Sequence, residues 1–330
     1  MILHPAIIAL LVSSLLISVL VLFAFWYGVK ILRSWDLRSG SSLQLDLERR
    51  TYLISTVLAY VFGFQLASLF LLIYTADNLS TLFTGAMCAA GTFNVNAYGY
   101  PLLVLKVLNF LLAGLWLTVN YADNRAYDYP LIRKKYAFLL VLAPFIVLET
   151  VLQTRYFLGL RPDVITSCCG SLFSVNSSGV AADLAALPAV PLQYALAGIM
   201  VTTVALGVAV AVTGRGGYAF FFAAGTAFIM AIASLISFIS PSIYELPTHH
   251  CPFCVLQKEY GYIGYLFYAT LLGGAVTGMG VGVLRPFRSI PSLVVIIPSL
   301  QRRLAVLSVL FYSSAGLLTL VTVFRSNLRW

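Results

Sequence analysis

Hydrophobic and polar residues alternate along this chain in whole segments, not in single turns. Apolar runs recur at about 6–30, 52–75, 100–121, 136–158, 190–213, 217–240, 261–284 and 304–324. Most exceed about 18 residues, the length a helix needs to cross a hydrocarbon core. Polar punctuation separates them: RSWDLRSGSSLQLDLERR after span 1, DNRAYDYPLIRKK after span 3, and the tight turn GRGG after span 5. The stretch SIPSLVVIIPSL (289–300) is apolar but too short to span. Pro291 and Pro298 break it, so it is expected to lie along the membrane interface. The pattern predicts an all-α fold, a polytopic transmembrane helical bundle of about eight spans.

Composition agrees. Of 330 residues, 61% are hydrophobic and 9% charged, too few charges to cover a water-soluble domain. The net charge of +9 raises the question of a nucleic-acid partner. Its distribution answers against one. Most of the 20 Lys and Arg residues fall in connections 1, 3, 5 and 7, around Lys30–Arg50, Arg125–Lys135, Arg215 and Arg285–Arg303. By the positive-inside rule those connections face the cytoplasm of a plasma membrane. Both termini then face outward. Span 1 lacks a basic leader and a small-residue cleavage site, and is expected to persist as a helix.

This orientation places Cys88, Cys168, Cys169, Cys251 and Cys254 on the extracytoplasmic side, as it does His4, His249 and His250. None of the five cysteines falls in a cytoplasmic connection or in mid-span. Buried cysteine often serves as a small apolar filler, so confinement to one face, where disulfides persist, points to a site. Two of the outward stretches resemble each other. CAAGTFNVNAYG (88–99) and CCGSLFSVNSSG (168–179) match at Cys88 and Cys168, Phe93 and Phe173, Val95 and Val175, Asn96 and Asn176, and Gly99 and Gly179. The pattern reads as a duplicated helix–loop–helix unit. Turn formation by Asn and Gly is the plainer account.

The stretch PTHHCPFCVL (247–256) concentrates the chemistry. Cys-x-x-Cys at a helix start would set two sulfurs one turn apart, beside orphan N–H groups that favour a thiolate. Pro252 suits a first helical turn, and Lys258 follows Cys254 by one turn. Three readings stand: a redox pair, a metal site using His249, His250, Cys251 and Cys254, for which copper or zinc is the expected ion, or a structural disulfide. Within the spans, Lys106 and Glu149 are the charges to explain, as a buried ion pair or a proton path. Asn96 and Asn176 would cap helices or hydrogen-bond a quinone. The glycines of LLGGAVTGMGVG read as helix-packing contacts.

Residues 136–285 resemble the vitamin K epoxide reductase family and its relative, the bacterial quinone-coupled disulfide oxidase. The shared order is a helix, an outward loop with cysteine, two helices, then Cys-x-x-Cys before a fourth. Cys169, Phe173 and Ser174 match the family's loop signature, and Lys258 stands where the oxidase carries a basic residue. The family's second loop cysteine is missing upstream of Cys168, and Cys88 from the other copy is a candidate substitute. The resemblance implies a four-helix redox core in spans 4–7. It also implies catalytic Cys251 and Cys254, shuttle cysteines among Cys168, Cys169 and Cys88, and a quinone near Lys258, Asn176, Asn96 and Glu149. An extracytoplasmic thiol protein, such as one with a thioredoxin fold, would be the partner. The chain then divides into 1–51 (first span and loop), 52–135 (the Cys88 unit), 136–285 (the redox core) and 286–330 (interfacial segment and last span). The expected function is a membrane thiol–disulfide oxidoreductase coupled to quinone. The alternative is a copper- or zinc-binding membrane protein, or the anchor subunit of a redox complex.

Overall fold

The computed structural model describes residues 3–36, 41–166, 173 and 180–328. Eight helices are long and apolar enough to cross a membrane: Pro5–Ser34, Ser42–Leu82, Gly99–Arg125, Ile132–Leu158, Ala189–Thr213, Gly217–Tyr244, Ile263–Ser289 and Ile296–Arg325. We refer to them as spans 1–8. No strand occurs among the described residues. The chain is an all-α, multi-pass membrane protein, as its apolar segmentation predicts.

Two boundaries differ from the sequence expectation. Span 2 reaches back to Ser42, into the stretch read as a charged loop. Its first turns are amphipathic. Gln44 and Leu47 are buried, while Asp46 pairs with Arg50 at 2.8 Å and Gln44 Nε2 donates to Glu48 Oε1 at 2.8 Å on an i, i+4 spacing. The second concerns 289–300. Pro291–Leu293 is a short 3-10 turn, but the last span already begins at Ile296, with Pro298 inside it. A proline in the first turn removes an N–H that has no intrahelical acceptor, so it does not break the helix there.

Packing divides the chain into two compact units. The first comprises Met1–Thr75, Asn96–Leu160 and Ser289–Ile296, the second Ala76–Val95, Arg161–Arg288 and Ile297–Trp330. Span 4 thus belongs to the first unit and spans 5–7 to the second.

In the first unit, span 4 packs along spans 1 and 3. Phe62, Trp116, Tyr136 and Leu139 fill its core, with Phe62 set edge-on to Trp116 at 4.9 Å. Hydrogen bonds across helices substitute for a hydrophobic drive that lipid does not supply. Ser18 Oγ meets Thr150 Oγ1 at 2.6 Å, and Gln153 Nε2 donates to the Leu10 carbonyl at 2.8 Å.

In the second unit, span 6 packs against spans 5 and 7. Gly278 of span 7 lets three helices close up: a Cβ there would lie 2.6 Å from Ala224 Cβ and 2.8 Å from Ser308 Oγ. Tyr312 donates to the Ala224 carbonyl at 2.6 Å, tying span 8 to span 6. Span 6 has a π-helical stretch over Leu235–Ile239, followed by the short helix Ser240–Tyr244 with Pro241 in its first turn.

Candidate functional site

The connection after span 2 and the one after span 6 meet within the second unit. Cys88 is the N-cap of the short helix Ala89–Phe93. Its Sγ lies 3.5 Å from Cys251 Sγ, and the sulfurs of Cys88, Cys251 and Cys254 all fall within 4.8 Å of one another. All three residues are buried, Cys88 and Cys251 completely. A disulfide bond is about 2.05 Å long, so the 3.5 Å approach is a non-bonded contact.

Polar contacts fix the two connections on each other. Gln257 Nε2 donates to the Met87 carbonyl at 2.8 Å and to Asp77 Oδ1 at 3.3 Å. The same Asp77 oxygen accepts the N–H of Ala89 at 3.1 Å, which satisfies an orphan donor at the start of the short helix. Tyr244 and Tyr268 donate to the carbonyls of Cys251 and Pro252 at 2.7 and 2.8 Å. The Phe93 and Phe253 rings pack at 5.8 Å, closing an apolar side.

A third segment docks on the Cys88 connection. Thr166 donates its N–H to the Thr84 carbonyl at 3.0 Å, and its Oγ1 donates to the Gly91 carbonyl at 2.9 Å. The approach is close enough that a Cβ on Gly85 would clash with the Thr166 carbonyl oxygen, and within the connection itself a Cβ on Gly91 would meet Ala86 Cα and Cβ at 2.7 Å. Cys168 and Cys169 follow Thr166 by two and three positions, and with Asn176 they lie outside the described residues.

Two details of the motif depart from the helix-start expectation. Cys254–Leu256 and Lys258–Tyr260 are separate 3-10 turns, and the long helix of span 7 begins only at Ile263. Gly261 and Tyr262, at φ of 63° and 56°, turn the chain between them. Cys254 therefore does not sit at the N-terminus of the long helix, and Lys258 is exposed on its own turn.

The histidines do not join the sulfurs. Among the described residues the group whose ligand atoms converge consists of the three cysteines alone. His250 Nδ1 lies 3.0 Å from the Ile236 carbonyl and 3.1 Å from that of Ser237. Both partners are acceptors, so Nδ1 carries the proton. The reason lies in span 6. Pro241 has no N–H to give to Ser237 at i−4 or, in π register, to Ile236 at i−5. His250 supplies the missing donor. His249 packs edge-on to Tyr244 at 4.8 Å.

The remaining candidates lie in the first unit. Asn96 accepts from the Tyr98 N–H at 3.0 Å, a turn leading into span 3, and donates to the Tyr156 carbonyl at 3.0 Å. Lys106 and Glu149 form a fully buried ion pair at 2.7 Å. Lys106 also reaches Ser68 Oγ at 2.9 Å, and the second Glu149 oxygen accepts from Gln65 and Asn109, both at 2.6 Å. The amides of Gln65 and Asn109 escaped the sequence reading, because neutral polar residues inside apolar runs carry no periodic signal. The same holds for a second buried pair, Lys135 with Asp123 at 2.7 Å, whose residues read as loop charges.

No protein-family model, curated protein or solved structure matches this chain.

Proposed function

We propose that the chain is a membrane thiol–disulfide oxidoreductase that passes electrons from an extracytoplasmic thiol protein to a membrane quinone. One observation carries this reading: Cys88 and Cys251, 163 positions apart in sequence, bring their sulfurs to 3.5 Å in a buried cluster that also holds Cys254. Exchange requires a thiolate in line with a neighbouring sulfur. The Cys88 thiolate would attack Cys251 in a Cys251–Cys254 disulfide. A Cys88–Cys251 bond forms, the Cys251–Cys254 bond breaks, and the electron pair leaves on Cys254. The Cys168 or Cys169 thiol then attacks Cys88, forming a new disulfide and releasing Cys251 as a thiol, and the Cys251–Cys254 dithiol gives two electrons and two protons to the quinone as its disulfide re-forms. In sum, two thiols become one disulfide, and their two electrons and two protons make quinol. Cys168 and Cys169, two and three positions after Thr166 in sequence, would hand the partner's electrons to Cys88.

A second reading has its own support. Zinc–thiolate bonds of about 2.3 Å in a tetrahedral site set sulfurs roughly 3.8 Å apart, within the spread of this cluster. Three thiolates would hold copper(I) or zinc, without the histidines of the expected set.

Non-reducing mass-spectrometric mapping of the cysteines, with elemental analysis of the same sample, separates the two. The redox reading expects a Cys251–Cys254 or Cys88–Cys251 disulfide that exchanges with added dithiol, and no metal. Reduced thiols with stoichiometric copper or zinc would overturn it in favour of the metal site.

A further inference from the structure

The end of the second unit where spans 5 and 6, and spans 7 and 8, are joined carries uncompensated positive charge. Arg215, Arg285, Arg288, Arg302 and Arg303 fall there, while residues 184–244 and 260–330 contain no Asp or Glu. Elsewhere in the chain Arg50, Lys106 and Lys135 each have a carboxylate, but among the described residues none of these five arginines forms a salt bridge.

The guanidiniums are held together. Arg288 donates from Nη1 to the Gly214 carbonyl at 2.9 Å and from Nε to Gln301 Oε1, and Gln301 in turn donates to the Val281 carbonyl at 2.6 Å. Arg285 lies over the Tyr218 ring at 5.4 Å, and its Nη1 is buried with no acceptor. A Cβ on Gly217 would meet this Nη1 at 3.6 Å, so the group rests on the first residue of span 6. Arg302 directly follows Gln301, the residue that Arg288 bonds, so its charge is carried on the same turn. Span 6 opens here at Gly217, directly after the left-handed Gly214 and Gly216, with no side-chain cap on its N–H groups.

Guanidiniums grouped without carboxylates repel one another, and an anion placed among them relieves that repulsion. A planar guanidinium with a buried, unused N–H matches a phosphate oxygen. The N-terminus of a long helix adds donors of the same sense. We infer that Arg285, Arg288 and Arg302, with the start of span 6, form a binding site for a phosphate group. It is distinct from the cysteine cluster and does not depend on the redox reading. Two sources carry this chemistry, an anionic phospholipid headgroup and a free phosphate.

The test uses the full chain in three nanodisc preparations: phosphatidylcholine alone, phosphatidylcholine with phosphatidylglycerol, and phosphatidylcholine with added inorganic phosphate. Native mass spectrometry reads the lipid retained, and thermal unfolding reads stabilisation. Wild type is expected to retain phosphatidylglycerol over phosphatidylcholine. Arg285→Gln and the exposed Arg302→Gln should each cut that preference about fivefold, while Arg325→Gln at the far end of span 8 leaves it intact. Stabilisation by inorganic phosphate in phosphatidylcholine discs, lost in both variants, would identify a free anion as the ligand. Equal retention of both lipids, with wild type and both variants responding alike to phosphate, overturns the site.

Discussion

Removing one member of the Lys106–Glu149 pair should cost far more than removing both. Both side chains are about 2% exposed, inside spans 3 and 4. Lys106→Met leaves a carboxylate with the Gln65 and Asn109 amides but no countercharge. Glu149→Gln leaves an ammonium with Ser68 Oγ alone. Each single change strands a buried charge and should destabilise by about 3–5 kcal/mol. Independent effects would sum to about 6–10 kcal/mol in the double variant. The double variant instead holds no buried charge. Its new amide faces two amide donors, and Asn109 Oδ1, now without a donor, becomes an acceptor if that amide turns over. Its cost should be about 1–3 kcal/mol, a coupling of at least about 3 kcal/mol. The measurement is detergent-titrated unfolding in mixed micelles, followed by circular dichroism and by the fluorescence of tryptophan, Trp116 being buried in this unit. Additive single costs in the double variant would refute the pair as the organiser of spans 2–4.

Three further outcomes follow from the second unit. His250→Ala should cost about 1–3 kcal/mol in unfolding experiments by stranding two carbonyls. In a Pro241→Ala background, where a backbone N–H returns, the same change should cost distinctly less; equal costs would sink the account of His250. Gly91→Ala should push the short helix Ala89–Phe93 away from Ala86, shifting Cys88 at its start, and slow Cys88–Cys251 cross-linking by a mild oxidant; an unchanged rate counts against that close approach. Tyr244→Phe removes one hydrogen bond to the Cys251 carbonyl, about 1 kcal/mol, and should leave the unfolding of the first unit unaltered.

The apolar runs made the spans legible, because crossing a membrane demands length and hydrophobicity that nothing else in a chain imitates. The ends were harder. Span 2 begins in a run of charges because Asp46 pairs with Arg50 and Gln44 with Glu48 at i, i+4, on two different faces of the helix, and a polar amphipathic turn looks like a loop when only hydropathy is read. The expected grouping of the five cysteines singled these residues out, and the structure brings Cys88 to Cys251 through Asp77, which has no motif around it, and Gln257, which directly follows the PTHHCPFCVL stretch. The irregular backbone before Ile263 was hidden, since Cys-Pro-Phe-Cys fits a first helical turn equally well. Pro241 was the missed clue for His250: a proline near the end of a span announces a carbonyl in want of a donor.

Complete burial of Cys88 and Cys251 has a kinetic consequence. A reagent or protein in water cannot touch these sulfurs until Gln257 lets go of Met87 and the two connections part. Every thiol reaction at this cluster is then a two-step process, opening followed by attack. At low reagent concentration its rate measures how often the door stands ajar. At high concentration it stops rising and becomes the opening rate itself. The clasp around the sulfurs thus sets a clock that runs in the protein and not in whatever reacts with it.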